Sequence, residues 1–143
     1  MNSRSMKARD IMHENAEWIP ADETLDRAAQ MMRRLDIGAL PIGNDDRLVG
    51  MLTDRDIVVK CIAMGHDPSK VRAGDLAEGT PRWISADADV REVLDMMEHD
   101  RIKRLPVIDN KKRLVGMICE SDIAKNLSDA EIAEFVSAVF VPH

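Results

Sequence analysis

The chain has 143 residues, which suits one compact domain or two small halves that share a core. Its formal net charge is −6, from 20 basic and 26 acidic residues, which argues against a non-specific nucleic-acid binder because such a protein needs a basic face. The sequence contains no apolar run of about 18 residues and no apolar secretory segment near its charged start. We therefore expect a cytoplasmic protein without nucleic-acid or membrane partners.

Cysteine and histidine usage indicates neither disulfides nor a metal site. Cys61 and Cys119 are too few and too far apart for a disulfide framework, and we expect reduced, buried side chains. The histidines show no spacing to cysteine or carboxylate that is typical of a metal site. The sequence therefore predicts no metal ligand and no required cofactor. The four histidines are His13, His66, His99 and His143.

One unit is written twice along the chain. Residues 18–42 align without gaps to residues 83–107, at an offset of 65. "RLVGMLTDRDIV" (47–58) and "RLVGMICESDIA" (113–124) are identical at seven of twelve positions. A period of this length exceeds that of a solenoid repeat and suits two copies of a small α/β unit.

The first copy predicts a strand, a helix, two strands and a second helix. A short apolar segment at Trp18 precedes the first helix, and strands at 39–42 and 47–52 flank a polar turn at 43–46. Apolar residues at helical spacing predict the buried faces of the two helices. These residues are Leu25, Ala28, Ala29 and Met32 in the first helix, and Ile57, Val58, Cys61 and Ile62 in the second.

The second copy predicts the same order of elements. Trp83 begins it, and strands at 104–108 and 113–119 flank a polar turn at 109–112. Because so small a unit cannot bury both faces of its sheet, we expect the two copies to pack on one another. The predicted buried helix face consists of Val90, Val93, Leu94 and Met97.

The stretch "GHDPSK" predicts a linker near 66–70. It divides the chain into repeat 1 (1–66), repeat 2 (67–127) and a C-terminal helix (128–143). Ser128 and Glu131 have capping-box spacing at the start of that helix. We expect its apolar stripe to dock on its own chain or on a dimer mate. The stripe consists of Ile132, Phe135, Val136 and Val139.

The repeated stretches "GMLTDRD" (50–56) and "GMICESD" (116–122) each carry a strand glycine and a following aspartate. A strand-to-helix junction exposes backbone N–H groups, which suit polar or anionic ligands. A carboxylate there can accept two hydrogen bonds from a vicinal diol such as that of ribose. The alternative is that each aspartate only caps its helix, as the Thr53-x-x-Asp56 spacing allows. Repetition favours a ligand cleft, and both interpretations stay open.

This doubled pattern, with "ALPI" and "RLPVI" before the repeated stretches, resembles a pair of CBS domains, the Bateman module. The resemblance covers about residues 7–127 and is greatest to stand-alone CBS-pair proteins of the hypoxic stress-response type. It implies an α/β (α+β) protein in which each repeat has a β-α-β-β-α fold. It also implies a pseudo-twofold relation between the repeats and two clefts that bind AMP, ADP or ATP.

The resemblance further implies roles for individual residues. Asp56 and Asp122 would hold the ribose. The first copy carries Gly38 and Ala39 where the second carries a basic pair, and the second has a weakly hydrogen-bonding cysteine in place of a threonine, so we expect unequal clefts. The basic residues could equally form a solvated face. The residues expected near phosphate are Thr53, Arg55, Lys103, Arg104, Cys119 and Ser121.

The functional prediction is a non-catalytic regulatory module that binds adenosine nucleotides or a related small ligand. No nucleophile–base pair and no Gly-Lys-Ser/Thr phosphate loop is present, so we expect no enzymatic activity. The alternative is a ligand-independent homodimer that acts through a protein partner. The surplus of apolar helix positions predicts a homodimer in either case.

Overall fold

The computed structural model describes residues 6–14, 17–77 and 81–140. The chain divides into two compact units. The first-repeat unit comprises residues 17–81, and the second-repeat unit comprises residues 1–16 and 82–143. The elements in chain order are α1 (Ala8–Ile11), β1 (Ile19–Pro20), α2 (Leu25–Leu35), β2 (Ala39–Asn44), β3 (Arg47–Thr53), α3 (Asp54–Ile57), a π-helical turn (Val58–Ile62), α4 (Ala73–Leu76), β4 (Ile84–Ser85), α5 (Val90–Asp100), β5 (Arg104–Ile108), β6 (Leu114–Cys119), α6 (Glu120–Asn126) and α7 (Asp129–Val139).

Each unit contains one three-stranded sheet, with strand order β1-β2-β3 in the first and β4-β5-β6 in the second. In both sheets the short first strand runs parallel to the second, and the second pairs antiparallel with the third. A helix follows the first strand and another follows the third. The expected β-α-β-β-α order is therefore confirmed in both repeats. Among the described helices, none is both long and apolar enough to cross a membrane.

The first-repeat core differs in part from the predicted helix faces. Leu25, Ala28 and Met32 of α2 are buried as predicted, but Ala29 is exposed. Met31 and Leu35 of α2 also pack against the core. They lie on the opposite side of the buried stripe from Ala29, so the buried face of the helix is rotated away from Ala29. The prediction for Ala29 was therefore wrong.

The second predicted helix of the first repeat also buries fewer residues than expected. Ile57 and Cys61 join the core, whereas Val58 and Ile62 are 57% and 52% exposed. The segment is a single turn of α-helix that continues into a π-helical turn, and it contributes one row of side chains, at i and i+4, to the core. The prediction that Val58 and Ile62 are buried was therefore wrong.

The second-repeat core follows the predicted pattern closely. All four predicted residues of α5 are buried, and α7 packs against α5. Ser128 Oγ accepts a hydrogen bond from the backbone N–H of Glu131 at 3.2 Å, which forms the predicted cap of α7. Phe135 and Val139 are buried, but Val136 is 44% exposed. The C-terminal helix therefore docks on its own unit, and part of its apolar stripe remains exposed on the surface of that unit.

Each unit also contains the segment that precedes the other repeat. Lys7 forms an isolated β-bridge with Asp89, and Arg72 forms one with Thr24. Lys7 and Arg72 are 65 residues apart, and so are Thr24 and Asp89, so the two bridges are equivalent in the two repeats. Residues 66–70, where the sequence indicates a linker, belong to the first-repeat unit, and Pro68 accepts a backbone hydrogen bond from Leu25 at 3.0 Å. The boundaries between the compact units therefore lie near residues 16 and 81. The boundaries at 66 and 127 mark the ends of the repeats in the sequence.

Candidate functional site

The first motif aspartate caps the helix that follows its strand. Thr53 ends β3, and its Oγ1 accepts a hydrogen bond from the backbone N–H of Asp56 at 3.0 Å. Asp56 Oδ2 in turn accepts one from the backbone N–H of Thr53 at 3.0 Å. Lys60 Nζ lies 3.3 Å from the other oxygen, Oδ1. Both carboxylate oxygens of Asp56 therefore have a partner within the first-repeat unit.

The second motif aspartate has a different and more buried environment. Asp122 is 7% exposed, and its Oδ2 accepts a hydrogen bond from the backbone N–H of Cys119 at 2.8 Å. The Cys119 Sγ lies 3.3 Å from the same oxygen. His13 Nδ1 also lies 2.8 Å from it. One carboxylate oxygen therefore meets a backbone amide, a thiol and an imidazole.

The motif glycine admits the segment that carries His13. His13 and Met117 of β6 exchange two backbone hydrogen bonds, at 2.9 and 3.1 Å. A Cβ at Gly116 would lie 2.8 Å from the carbonyl oxygen of His13 and 2.6 Å from Met12 Sδ. At Gly50 a Cβ would lie 2.9 Å from Ala77 Cβ. In each unit the repeated glycine allows close approach of the segment that precedes the other repeat.

His13, Cys119 and Asp122 form a group that could hold a metal ion. One ligand atom from each lies within 4.8 Å of the other two. Zinc prefers nitrogen, sulfur and carboxylate oxygen ligands, and three such ligands leave a fourth position for water or another ligand. Spacing along the sequence indicates no such site, because His13 and Asp122 are 109 residues apart. The one local signal is the pair Cys119-x-x-Asp122, and only the fold adds the histidine.

The other residues predicted to contact a ligand fall into two sets. Thr53 and Arg55 lie with Asp56, and Arg55 is exposed. Arg104 pairs directly with Cys119 across β5 and β6, so their side chains share one face of the sheet. Ser121 Oγ lies 3.1 Å from Cys119 Sγ.

Lys103 has a separate contact. Its Nζ lies 4.5 Å from the ring centroid of Phe140, at the end of the C-terminal helix. A cation over an aromatic ring at this distance is attracted to the face of the ring. Of the predicted basic pair, Arg104 is thus the one adjacent to the second motif.

The first repeat has glycine and alanine in place of this basic pair, and a carboxylate lies beside the glycine. The backbone N–H of Asp54 donates to the carbonyl oxygen of Gly38 at 2.9 Å, and a Cβ at Gly38 would lie 2.9 Å from Asp54 Oδ2. Ala39 pairs with Thr53 where Arg104 pairs with Cys119. The two motifs therefore differ in local charge as well as in hydrogen-bonding groups.

A surface cavity of about 610 Å³ in the first-repeat unit contains none of the predicted residues. It is lined in part by Trp18 and Gly43, and by three carboxylates that would repel a phosphate. This cavity is therefore a poor match for an anionic nucleotide. The carboxylates are those of Asp22, Asp45 and Asp46.

Comparison with protein families identifies two matched segments. The family model described as "CBS domain" matches residues 8–62 and residues 73–129. Together these segments cover most of the chain and include both motif aspartates.

Individual relatives agree with this match. The chain is 49% identical to hypoxic response protein 1 of Mycobacterium tuberculosis over 136 residues, which is 94% of each chain. A crystal structure of hypoxic response protein I with two coordinated zinc ions superposes with a TM-score of 0.79 at 50% identity, covering 86% of this chain and 100% of that one. The structure of CBSX2 in complex with AMP superposes with a TM-score of 0.73 over 85% of this chain and 95% of that chain, at 21% identity, which shows a shared fold.

Proposed function

The chain belongs to the CBS domain family, and we propose that it is a non-catalytic regulatory module that binds adenosine nucleotides. The observation that carries this proposal is the repetition of one carboxylate at the same strand-to-helix junction in both units. Such a junction combines a hydrogen-bond acceptor for a ribose diol with backbone N–H groups for a polar ligand. We place this activity in the cytoplasm.

Asp56 and Asp122 are the proposed ribose-binding residues. In the first repeat, Thr53 and the exposed guanidinium of Arg55 are the proposed phosphate contacts. The ligand must displace or share the Lys60 contact at Asp56 Oδ1, because a diol needs both carboxylate oxygens. AMP, ADP and ATP all carry the required diol, and the AMP complex of CBSX2 supports the idea that this fold accommodates such a ligand.

In the second repeat, Arg104 beside Cys119 and Ser121 is the proposed phosphate contact. Lys103 would join it after leaving the Phe140 ring. We expect phosphate-bearing ligands to bind more tightly here in metal-free protein, because the first repeat has Gly38 and Ala39 in place of this basic pair.

Calorimetric titration with AMP tests the proposal. Asp56→Asn and Asp122→Asn should each weaken one site by about 10- to 150-fold, the effect of losing a charged acceptor worth roughly 1.5–3 kcal/mol. Asp54→Asn and Glu120→Gln are matched controls, because each removes a charge from the same first helical turn without touching the motif aspartate. Absence of heat with AMP, ADP and ATP would leave both aspartates as helix caps and favour the protein-partner alternative.

A zinc ion is a second candidate ligand, at His13, Cys119 and Asp122. The favouring observation is the convergence of their three ligand atoms within 4.8 Å, and hypoxic response protein I was crystallised with two coordinated zinc ions. A bound ion would tie the N-terminal segment to the β6–α6 junction and act as a structural cross-link. Chelator competition should give tight binding for the parent and at least about tenfold weaker binding for His13→Ala and Cys119→Ser. His99→Ala, an exposed histidine on α5, is the control.

We also propose that the protein forms a homodimer. Val58, Val59, Ile62 and Met64 are 42–66% exposed on one short segment of the first-repeat unit, and a second copy of this chain could cover such a face in a closed twofold pair. Light scattering should give a dimer mass for the parent and a monomer mass for Ile62→Glu. A monomeric parent at micromolar concentration would contradict the dimer, and an unknown protein target would then be the candidate for covering this face.

A further inference from the structure

We propose that zinc and nucleotide exclude each other at the second motif, so that metal occupancy sets how many nucleotides the chain binds. This inference rests on the nucleotide-binding function proposed above. It predicts two nucleotide sites in metal-free protein and one site, at Asp56, in zinc-loaded protein.

Exclusion follows first from the geometry of Asp122. The oxygen that lies 2.8 Å from His13 Nδ1 and 3.3 Å from Cys119 Sγ is the same one that caps α6 through the backbone N–H of Cys119. In metal-free protein a diol can displace the His13 contact from this oxygen, as it displaces Lys60 from Asp56, whereas a metal ion held by these three side chains would keep the oxygen occupied. A ribose diol needs both carboxylate oxygens, so it loses one of its two hydrogen bonds when the ion is present.

A neighbouring group acts in the same direction. Zinc takes cysteine as a thiolate, so the thiolate and the carboxylate cancel the two positive charges of the ion, and exclusion therefore depends on the occupied atoms and not on repulsion of phosphate. Cys119 Sγ also lies 3.1 Å from Ser121 Oγ, the proposed phosphate contact. A sulfur atom fixed by the metal would occupy space beside Ser121 Oγ that the phosphate needs.

The first motif lacks the groups that make this exclusion possible. Thr53 stands where the second repeat has Cys119, and its hydroxyl already accepts the N–H of Asp56. The other oxygen of Asp56 faces the cation of Lys60. Within residues 17–77, the structure shows no group of three histidine, cysteine or carboxylate ligand atoms as close as that around Asp122. Nucleotide binding at Asp56 should therefore be independent of zinc.

The test is calorimetric titration of AMP into protein stripped by a chelator, repeated after one equivalent of zinc per chain. We expect two AMP sites without zinc, and with zinc a loss of about 10- to 150-fold in affinity at one of them. Adenosine is titrated in parallel, because it has no phosphate to bind zinc in solution. Zinc that remains on the protein is measured with a colorimetric chelator after denaturation.

Variants separate the metal from the carboxylate. His13→Ala should keep both AMP sites and lose their response to zinc, whereas His99→Ala should behave as the parent. Two unchanged AMP sites on protein that demonstrably holds zinc would overturn the inference, and so would tighter AMP binding with zinc, which would mean that the metal bridges the phosphate. AMP binding without any zinc binding would overturn the inference alone. No AMP binding to metal-free protein would overturn the proposed function and this inference together.

Discussion

Replacing Gly116 with alanine should detach the N-terminal segment from β6. The new Cβ would lie 2.6 Å from Met12 Sδ, 3.0 Å from Met12 Cγ and 2.8 Å from the carbonyl oxygen of His13. The methionine can move, because its side chain is flexible. The carbonyl of His13 is backbone, so the segment itself must shift.

The expected loss of stability is set by whichever of two structural responses to the new methyl group costs less free energy. The two backbone hydrogen bonds between His13 and Met117 contribute roughly 0.5–1.5 kcal/mol each, so their loss costs about 1–3 kcal/mol. Keeping them means retaining an overpacked methyl group, which costs about 1–3 kcal/mol by itself. The chain adopts the cheaper arrangement, so we expect the free energy of unfolding to fall by about 1–3 kcal/mol.

The same displacement should weaken zinc binding, because His13 reaches Asp122 only while the segment is paired. We expect the zinc affinity of Gly116→Ala to fall at least about tenfold in chelator competition. Gly50→Ala is the matched control, since its Cβ would lie 2.9 Å from Ala77 Cβ in the other unit. It should lower stability in urea denaturation and leave zinc affinity unchanged. A Gly116→Ala protein with parental zinc affinity and stability within about 0.5 kcal/mol would refute the reasoning.

Two further predictions concern the stability of the second-repeat unit. Burial, followed by the nearby charges of Glu134 and Asp95, raises the pKa of Glu98 above its ordinary value of 4.5, so the folded protein holds this proton more tightly than the unfolded chain. The resulting stability is present below pH 4.5 and is lost as pH rises through the folded-state pKa of Glu98. Glu98→Gln should therefore raise the free energy of unfolding at pH 7 by roughly 0.2–0.5 kcal/mol. Urea denaturation at pH 4 and at pH 7 measures this effect, and an equal effect at both pH values would contradict the prediction. Ser128→Ala removes the cap of α7 and should cost about 0.5–2 kcal/mol in thermal unfolding, whereas Ser137→Ala, exposed within the same helix, should cost nothing.

Local periodicity in the sequence was enough to predict the β-α-β-β-α elements of each repeat, but not the short helices α1 and α4. The i, i+3, i+4 and i+7 spacing of Val90, Val93, Leu94 and Met97 predicted a buried face that the structure confirms. The strands on either side of the polar turns were also predicted, because turn residues and apolar runs act within a few residues. The family followed from the repeated motifs, and the family match confirms it.

Periodicity did not locate every boundary of the buried faces. Ala29 and Val58 fit a helical stripe but are exposed, because the angle at which a helix meets its sheet decides which edge of a wide stripe is covered. That angle depends on the packing of other elements. It is not encoded in the spacing along one helix.

Only the tertiary structure decided the surroundings of Asp122. The sequence by itself determined the repeat, the strand-to-helix junction and the aspartate that caps it, because these depend on neighbours within a few residues. Bringing His13 to Asp122 requires pairing between segments 109 residues apart, and the space that Gly116 leaves beside β6 allows that approach. Such a contact depends on which surfaces remain unpaired after each repeat has folded, and no local pattern of residues carries that information.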